Sequence, residues 1–244
     1  MINRATAIFA AVLLICLMPV LASAQLVGYS QDFEGLGLTD TGALASAGFV
    51  VYGTVFAPDG VTWLGGYGTY PAPNSGPPYA FCTIADGQGG AAQGSQQLVA
   101  FSDYNNSAAH SAGNIVESNV FQEQTIGVGD VGHTWYFTFQ AKHGDLVAPS
   151  TALAFIKTLD PGNGYATTNY ITVDMTNIPS TWGDYALSIV IDPALAGQIL
   201  QFGFSNRATN YNPSGTYYDN LSFYMNGAVP AQTSSWGKVK SLYQ

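Results

Sequence analysis

Two carboxylates, set into short apolar stretches near opposite ends of the chain, carry the most specific chemistry in this sequence. Glu34 lies in Gln31-Asp32-Phe33-Glu34-Gly35, and Asp219 lies in Tyr217-Tyr218-Asp219-Asn220-Leu221-Ser222-Phe223. If the first and last strands of a β-sandwich run side by side, the two acids meet. Neighbouring carboxylates repel, so such a pair calls for a cation. Calcium takes six to eight oxygens at ~2.3–2.6 Å, which two carboxylates can supply together with carbonyls and water. Glu34 and Asp219 are therefore the candidate metal ligands. His110, His133 and His143 lack zinc spacing; His133 and His143 sit at the two ends of one strand, about 30 Å apart if it is extended.

A second chemistry is carried by rings and amides in glycine-rich segments. A pyranose stacks its C–H face on Trp or Tyr, and its hydroxyls need planar amide and carboxylate partners. Trp63, Tyr67 and Tyr70 fall within Trp63-Leu64-Gly65-Gly66-Tyr67-Gly68-Thr69-Tyr70, with Tyr79 close behind. Tyr104 and Asn105 fall within Ser102-Asp103-Tyr104-Asn105-Asn106-Ser107, and Tyr211 lies between Asn210 and Asn212. These seven are the candidate ligand-binding residues; the competing reading is that the rings pack their loops onto the body. A further candidate surface is Tyr136, Gln140 and Lys142, which alternate along one side of an aromatic strand.

Catalysis finds little support. Glu34, Glu117 and Glu123 are the only glutamates. Glycosidases need two carboxyls about 5–9.5 Å apart. Glu117 and Glu123, six residues apart on one strand, share a face at about 20 Å. There is no G-x-S-x-G nucleophile motif. The expectation is a protein with no catalytic residues.

The elements that must position these groups read as strands. His133 to Lys142 alternates, with Trp135, Phe137, Phe139 and Ala141 on one side. Similar runs are Gly48 to Phe56, Tyr79 to Ile84, Gln96 to Phe101, Asn114 to Glu123, Thr151 to Leu159, Tyr170 to Asp174, Tyr185 to Ile191, Ile199 to Ser205 and Thr216 to Tyr224. Turn residues separate them, as in Asp160-Pro161-Gly162-Asn163-Gly164 and Asn212-Pro213-Ser214-Gly215. Gly65 to Pro78 and Ala85 to Gly94 read as long loops. Helix signals are confined to Leu38–Ala47, capped by Thr39 or Thr41, and a single turn at Pro193–Gly197. Many strands without a βαβ rhythm predict an all-β antiparallel sandwich or jelly roll.

Residues 1–24 read as a secretory signal peptide: Met1–Arg4 carries one positive charge, Ala5–Leu21 is apolar, and Ala22-Ser23-Ala24 is a small-residue cleavage site. A secreted chain, extracellular or periplasmic, would then begin at Gln25. Its single cysteine, Cys82, reads as a buried thiol, so a metal clip or a large core must do what a disulfide would do elsewhere. Beyond the leader, five basic residues (Lys142, Lys157, Arg207, Lys238, Lys240) face 15 acidic ones. That balance argues against nucleic acid and against anionic membranes. Residues 25–226 read as one sandwich domain. Residues 227–244 read as a linker and a short tail, in which Trp236, Val239, Leu242 and Tyr243 fall at helical spacing and suit a docking or sorting element.

Four segments, in order, resemble those of secreted carbohydrate-binding modules with a galactose-binding-like, calcium-containing jelly roll. Trp135-Tyr136-Phe137-Thr138-Phe139-Gln140-Ala141-Lys142 is similar to their Y-x-x-S-F-x-A-K strand, and Trp182-Gly183-Asp184-Tyr185 to the start of their W-x-x-Y-x-x-x-F strand. Tyr217 to Phe223 resembles their closing Y-x-D-N-V-x-L strand, and Asp32-Phe33-Glu34 their opening N-F-E strand. The resemblance implies a structural calcium held by Glu34 and Asp219 with backbone carbonyls. It also implies a bacterial, non-catalytic module whose partner is a polysaccharide or other glycan. The alternatives are a secreted structural or adhesive surface domain without a sugar site and, third, a jelly-roll glycoside hydrolase or polysaccharide lyase.

Overall fold

The computed structural model describes residues 25–70, 81–102 and 112–226. The leader, the tail, Tyr79, Tyr104 and Asn105 lie outside the described residues. Among the described residues twelve strands form two antiparallel sheets. They are β1 (Tyr29–Gln31), β2 (Phe49–Phe56), β3 (Trp63–Thr69), β4 (Cys82–Asp86), β5 (Gln96–Ala100), β6 (Ile115–Thr125), β7 (Thr134–His143), β8 (Thr151–Asp160), β9 (Ala166–Asp174), β10 (Gly183–Val190), β11 (Ile199–Ala208) and β12 (Thr216–Met225). One sheet runs β10-β7-β12-β5-β4, with β1 also pairing with β12. The other runs β3-β2-β6-β11-β8-β9. The fold is an all-β antiparallel sandwich of jelly-roll type. Among the described residues no helix is long and apolar enough to cross a membrane.

Alternation builds the core. Trp135, Phe137, Phe139 and Ala141 of β7 are all buried, and Tyr136, Thr138, Gln140 and Lys142 point the other way. Across the two layers, rings of β11 lie on rings of β12: Phe202 on Phe223 at 4.1 Å between centroids, and Phe204 on Tyr218 at 3.6 Å. Such stacked pairs add about 0.5–1.5 kcal/mol each beyond the apolar area they bury. Cys82 is fully buried, and burial pushes its thiol far above the ordinary range, so it is an inert core residue.

Two local expectations are corrected. The glycine-rich stretch after Trp63 is not a loop throughout: residues 63–69 form β3, an edge strand on β2. Its glycines are accommodated by two register shifts, since glycine tolerates the irregular backbone of a bulge. The short helix is only α1 (Ala43–Ser46), with Gly42 at its N-cap and no side-chain cap from Thr39 or Thr41.

The described chain is tied down from its start. Leu26 is buried, and its N–H donates to the buried carboxylate of Asp130 at 2.9 Å; the Gly127 N–H donates to the same oxygen at 2.8 Å. Removing an acceptor that serves two buried donors costs about 1–3 kcal/mol. Asp130→Ala is expected to lower the free energy of unfolding in urea by that amount. No change would mean that packing alone holds the Leu26 end.

Candidate functional site

Two places gather the polar chemistry. The first is the seam between β1 and β5. Strand β12 pairs with β5 through residues 216–218 and with β1 through residues 221–223. Opposite β7 its register shifts between Asp219 and Ser222. At this bulge Asn220 has φ +49°, a left-handed backbone that Asn tolerates better than most residues. Asp219 thus sits where β12 exchanges one partner for the other, and it is fully buried.

The turn after β1 brings Asp32 and Glu34 to the same seam. One oxygen of Glu34 accepts the N–H groups of Ser95 and Gln96, both at 2.7 Å, and so fastens the β4–β5 loop. Gly94 is needed here: its φ is +61°, and a Cβ at this position would lie 2.5 Å from Glu34 Oε1. With its side-chain amide turned, Gln96 donates to the carbonyls of Phe33 and Leu36 at 2.8 Å.

Asp219 is electrostatically unsettled. Burial pushes its pKa up to about 8, the Asn220 N–H partly opposes this, and the Asp32 and Glu34 carboxylates raise it further. One oxygen accepts from Asn220 N at 2.6 Å; the other is buried without a well-formed hydrogen bond, because the nearby Gln97 amide, which lowers the pKa only a little, donates to the Gln93 carbonyl instead. A buried carboxylate that lacks a partner beside two more acids suits a hard cation. Among the described residues no three acidic, imidazole or thiol side chains converge as a complete ligand set. A cation here would therefore rely on Glu34 and Asp219 with main-chain carbonyls and water.

The second place is the outer face of the β3-β2-β6-β11-β8-β9 sheet. Register places Thr54, Glu117, Arg207 and Thr151 in one cross-strand row, Tyr52, Asn119, Ser205 and Leu153 in the next, then Phe121, Gly203 and Phe155, then Glu123, Gln201, Lys157 and Tyr170. Outward residues at the middle of this sheet are nonetheless sheltered: Phe155 is 1% exposed, Ser205 2% and Gln201 6%. Gly203 sets the close approach of β6 and β11, because a Cβ there would lie 2.2 Å from the Val120 carbonyl oxygen.

The polar groups on this face are held in place. Arg207 Nε meets Glu117 Oε2 at 2.6 Å, and Asn119 donates to the other Glu117 oxygen at 3.0 Å. Gln201 Nε2 donates to Glu123 at 2.7 Å, leaving its own carbonyl oxygen buried and unpartnered. Burial draws the Lys157 ammonium below its ordinary range, and Glu117 and Glu123 partly restore it. The two glutamates lie three rows apart, about 20 Å along the strand, too far to act as a pair.

Aromatic rings flank the rows. On β3, Trp63 pairs with the outward Phe56 and is 63% exposed; on β9, Tyr170 is 53% exposed and lies 6.0 Å from Phe155. Among the described members of the sequence-predicted ring set, Trp63 alone joins this face. Tyr67 and Tyr70 pack on Phe81 at 5.5 and 5.2 Å, so their rings are taken up by the core. Tyr211 is 40% exposed in the β11–β12 connection, four residues beyond Arg207 and outside the paired rows. Sequence reasoning missed Tyr170, Arg207, Asn119 and Gln201 as site residues. Their signal was the alternation of β9, β6 and β11, which places them on one side.

The sequence matches no protein-family model and no curated protein. Similar solved structures include the CBM22-1–CBM22-2 tandem domain of Paenibacillus barcinonensis Xyn10C, at 12% identity over 89% of this chain and 50% of that one, with a TM-score of 0.42. Another is the CBM22-1–GH10 portion of Clostridium thermocellum xylanase 10B complexed with xylohexaose, at 10% identity over 84% and 29%, with a TM-score of 0.41. A third is the Stig cyclase Fisc of Fischerella sp. TAU, at 12% identity over 83% and 100%, with a TM-score of 0.47. The chain thus spans half or less of the two xylanase-derived structures. Likeness at this level is one of strand layout.

The seam makes a pH prediction. The folded pKa of Asp219, about 8, lies above its ordinary value of 3.8. The fold therefore favours the protonated acid, and the stability this contributes is complete below about 3.8 and lost as pH rises through about 8. In protein stripped of divalent cations, the melting temperature is expected to fall over that interval, and Asp219→Asn to flatten the fall. A wild-type profile as flat as the variant's would contradict the reading.

Proposed function

We propose that this chain is a secreted, non-catalytic module that binds a glycan on the outer face of its β3-β2-β6-β11-β8-β9 sheet and is stiffened by a structural calcium at the β1–β12 seam. The observation that carries the binding reading is the combination on one face of exposed rings at both edges, Trp63 and Tyr170, with ordered rows of amide, carboxylate and guanidinium groups between them. Rings offer faces to sugar C–H groups, and the fixed amides and charges offer partners to hydroxyls. Because the chain fixes Arg207, Glu117, Asn119, Gln201 and Glu123 beforehand, little ordering remains to be done on binding. The four-segment resemblance to carbohydrate-binding modules supports the same reading.

The calcium reading rests on Asp219 and Glu34. A bound cation would hold Asp219 ionised and compensate the repulsion from Asp32 and Glu34, joining the first strand, the last strand and the β4–β5 loop. Secretion rests on the leader pattern of residues 1–24.

Two experiments test these statements. A glycan array on the intact chain identifies a ligand, and titration calorimetry then compares variants. Trp63→Ala and Tyr170→Ala are each expected to weaken binding about tenfold, or ~1.4 kcal/mol, with unchanged melting curves. No binding to any glycan, or binding indifferent to both variants, would favour a structural surface domain. For the metal, calcium at 100 times its Kd is expected to stabilise the fold by ~2.7 kcal/mol over the chelated protein. Melting curves that superimpose with and without chelator would rule the ion out.

A further inference from the structure

The opposite surface of the sandwich, the outer face of the β10-β7-β12 sheet, holds a groove of about 390 Å³ lined by Ala92, Thr138, Gln140, Asp184, Ala186 and Asn220 together with Phe139 and Tyr185. That volume is at the small end of the range for small-molecule sites, about 300–1,000 Å³. Register orders this face into four rows. Lys142 lies beside Tyr217, with Trp182 just before β10; next come Asp184 and Gln140 beside the Asp219–Ser222 bulge; then Ala186, Thr138 and Ser222; then Ser188, Tyr136 and Tyr224. The floor is thus polar or small, and each end is aromatic. Tyr136 and Tyr224 stack at 5.6 Å, and at the other end Lys142 lies 4.9 Å from the Tyr217 ring and 5.4 Å from that of Trp182. From one aromatic row to the other is six residues of strand, about 20 Å.

The floor is preorganised. Gln140 Oε1 accepts from Gln93 Nε2 at 2.6 Å and from Asn220 Nδ2 at 2.7 Å, and Asn220 also donates to the Ala92 carbonyl at 2.9 Å. Gln140 Nε2 donates to Asp184 Oδ1 at 2.8 Å, which fixes the carboxylate and leaves its second oxygen, among the described residues, with no donor from the chain. The left-handed Asn220 is what aims its amide across the strand.

This geometry points to a second carbohydrate site: the groove takes a short run of a neutral glycan, with Asp184 and the Gln140–Asn220 amides receiving hydroxyls and the end rings taking C–H faces. Asp184 disfavours an anionic ligand, because Lys142 is drawn away to the Gln88 carbonyl at 2.7 Å. A floor of amide, carboxylate and hydroxyl groups disfavours a lipid chain. The site lies on the other sheet from Trp63 and Tyr170 and does not depend on the reading of that face.

The side-chain amides of Gln140 and Asn220 are their own reporters. The full chain is titrated with cello-, xylo-, manno- and galactotriose while its amide ¹H–¹⁵N resonances are followed. At least one triose is expected to shift both side-chain pairs. Ala186→Trp, which fills the groove and removes no hydrogen bond, is expected to weaken that response at least tenfold. The response is expected to survive in the Trp63→Ala/Tyr170→Ala chain, which separates this site from the other face. Silence of both amides to all four trioses, or shifts that Ala186→Trp leaves intact, would overturn the proposal. So would shifts produced by ethylammonium and by none of the sugars, since the groove would then be a cation site.

Discussion

The structure depends on one constraint: β12 must serve two partners on the same edge. Its first half completes the sheet with β5 and its second half with β1, and the chain can only make that exchange by bulging at Asp219–Ser222. At that bulge Asp219 is buried, with Asp32 and Glu34 close enough to act on its charge. A fold that brings together its first and last strands has thereby set two further carboxylates near a buried one, and they make Asp219 costlier to ionise. Glu34 accepts two backbone N–H groups, whereas Asp219 keeps one buried oxygen unpartnered.

From that seam the order spreads outward through hydrogen bonds. Glu34 pins Ser95 and Gln96; the same loop places Gln93 against Gln140; Asn220, one residue beyond Asp219, reaches Ala92 and Gln140. The β4–β5 loop is therefore fixed from three directions, with Lys142 and Trp182 both donating to the Gln88 carbonyl at its near end. A glycine-rich segment with little apolar content is held by polar contacts, while the ring stack between β11 and β12 holds the layers themselves.

The two outer faces share a design. Each sets planar polar side chains in fixed orientations between aromatic rings, and each draws those groups from alternate positions whose other neighbours form the core. Inward positions on β7, β11 and β12 bring together the rings of Trp135, Phe137, Phe139, Phe202, Phe204, Tyr218 and Phe223, which makes the sandwich stiff. Stiff strands fix the spacing of outward groups better than loops would. The rings of Tyr67 and Tyr70, drawn from a segment that looks loop-like in sequence, are instead consumed in covering Phe81.

Strand content, the alternation of β7, the burial of Cys82 and the adjacency of the two chain ends were all legible in the sequence, because a period of two and an acid inside an apolar run are local signals. The pairing of the first strand with the last was legible for the same reason, and with it the influence of Glu34 on Asp219. The faces were not. Tyr170, Arg207, Asn119 and Gln201 come from three separate strands, and what makes them a set is cross-strand register, a property of pairing and not of any one segment. Likewise the chain cannot announce that residues 63–69 complete a sheet edge, since glycine favours no single backbone conformation and only the hydrogen bonds offered by β2 select the extended one. The sequence by itself determined which side of most strands packs on the core; the tertiary structure alone decided which of the opposite sides meet.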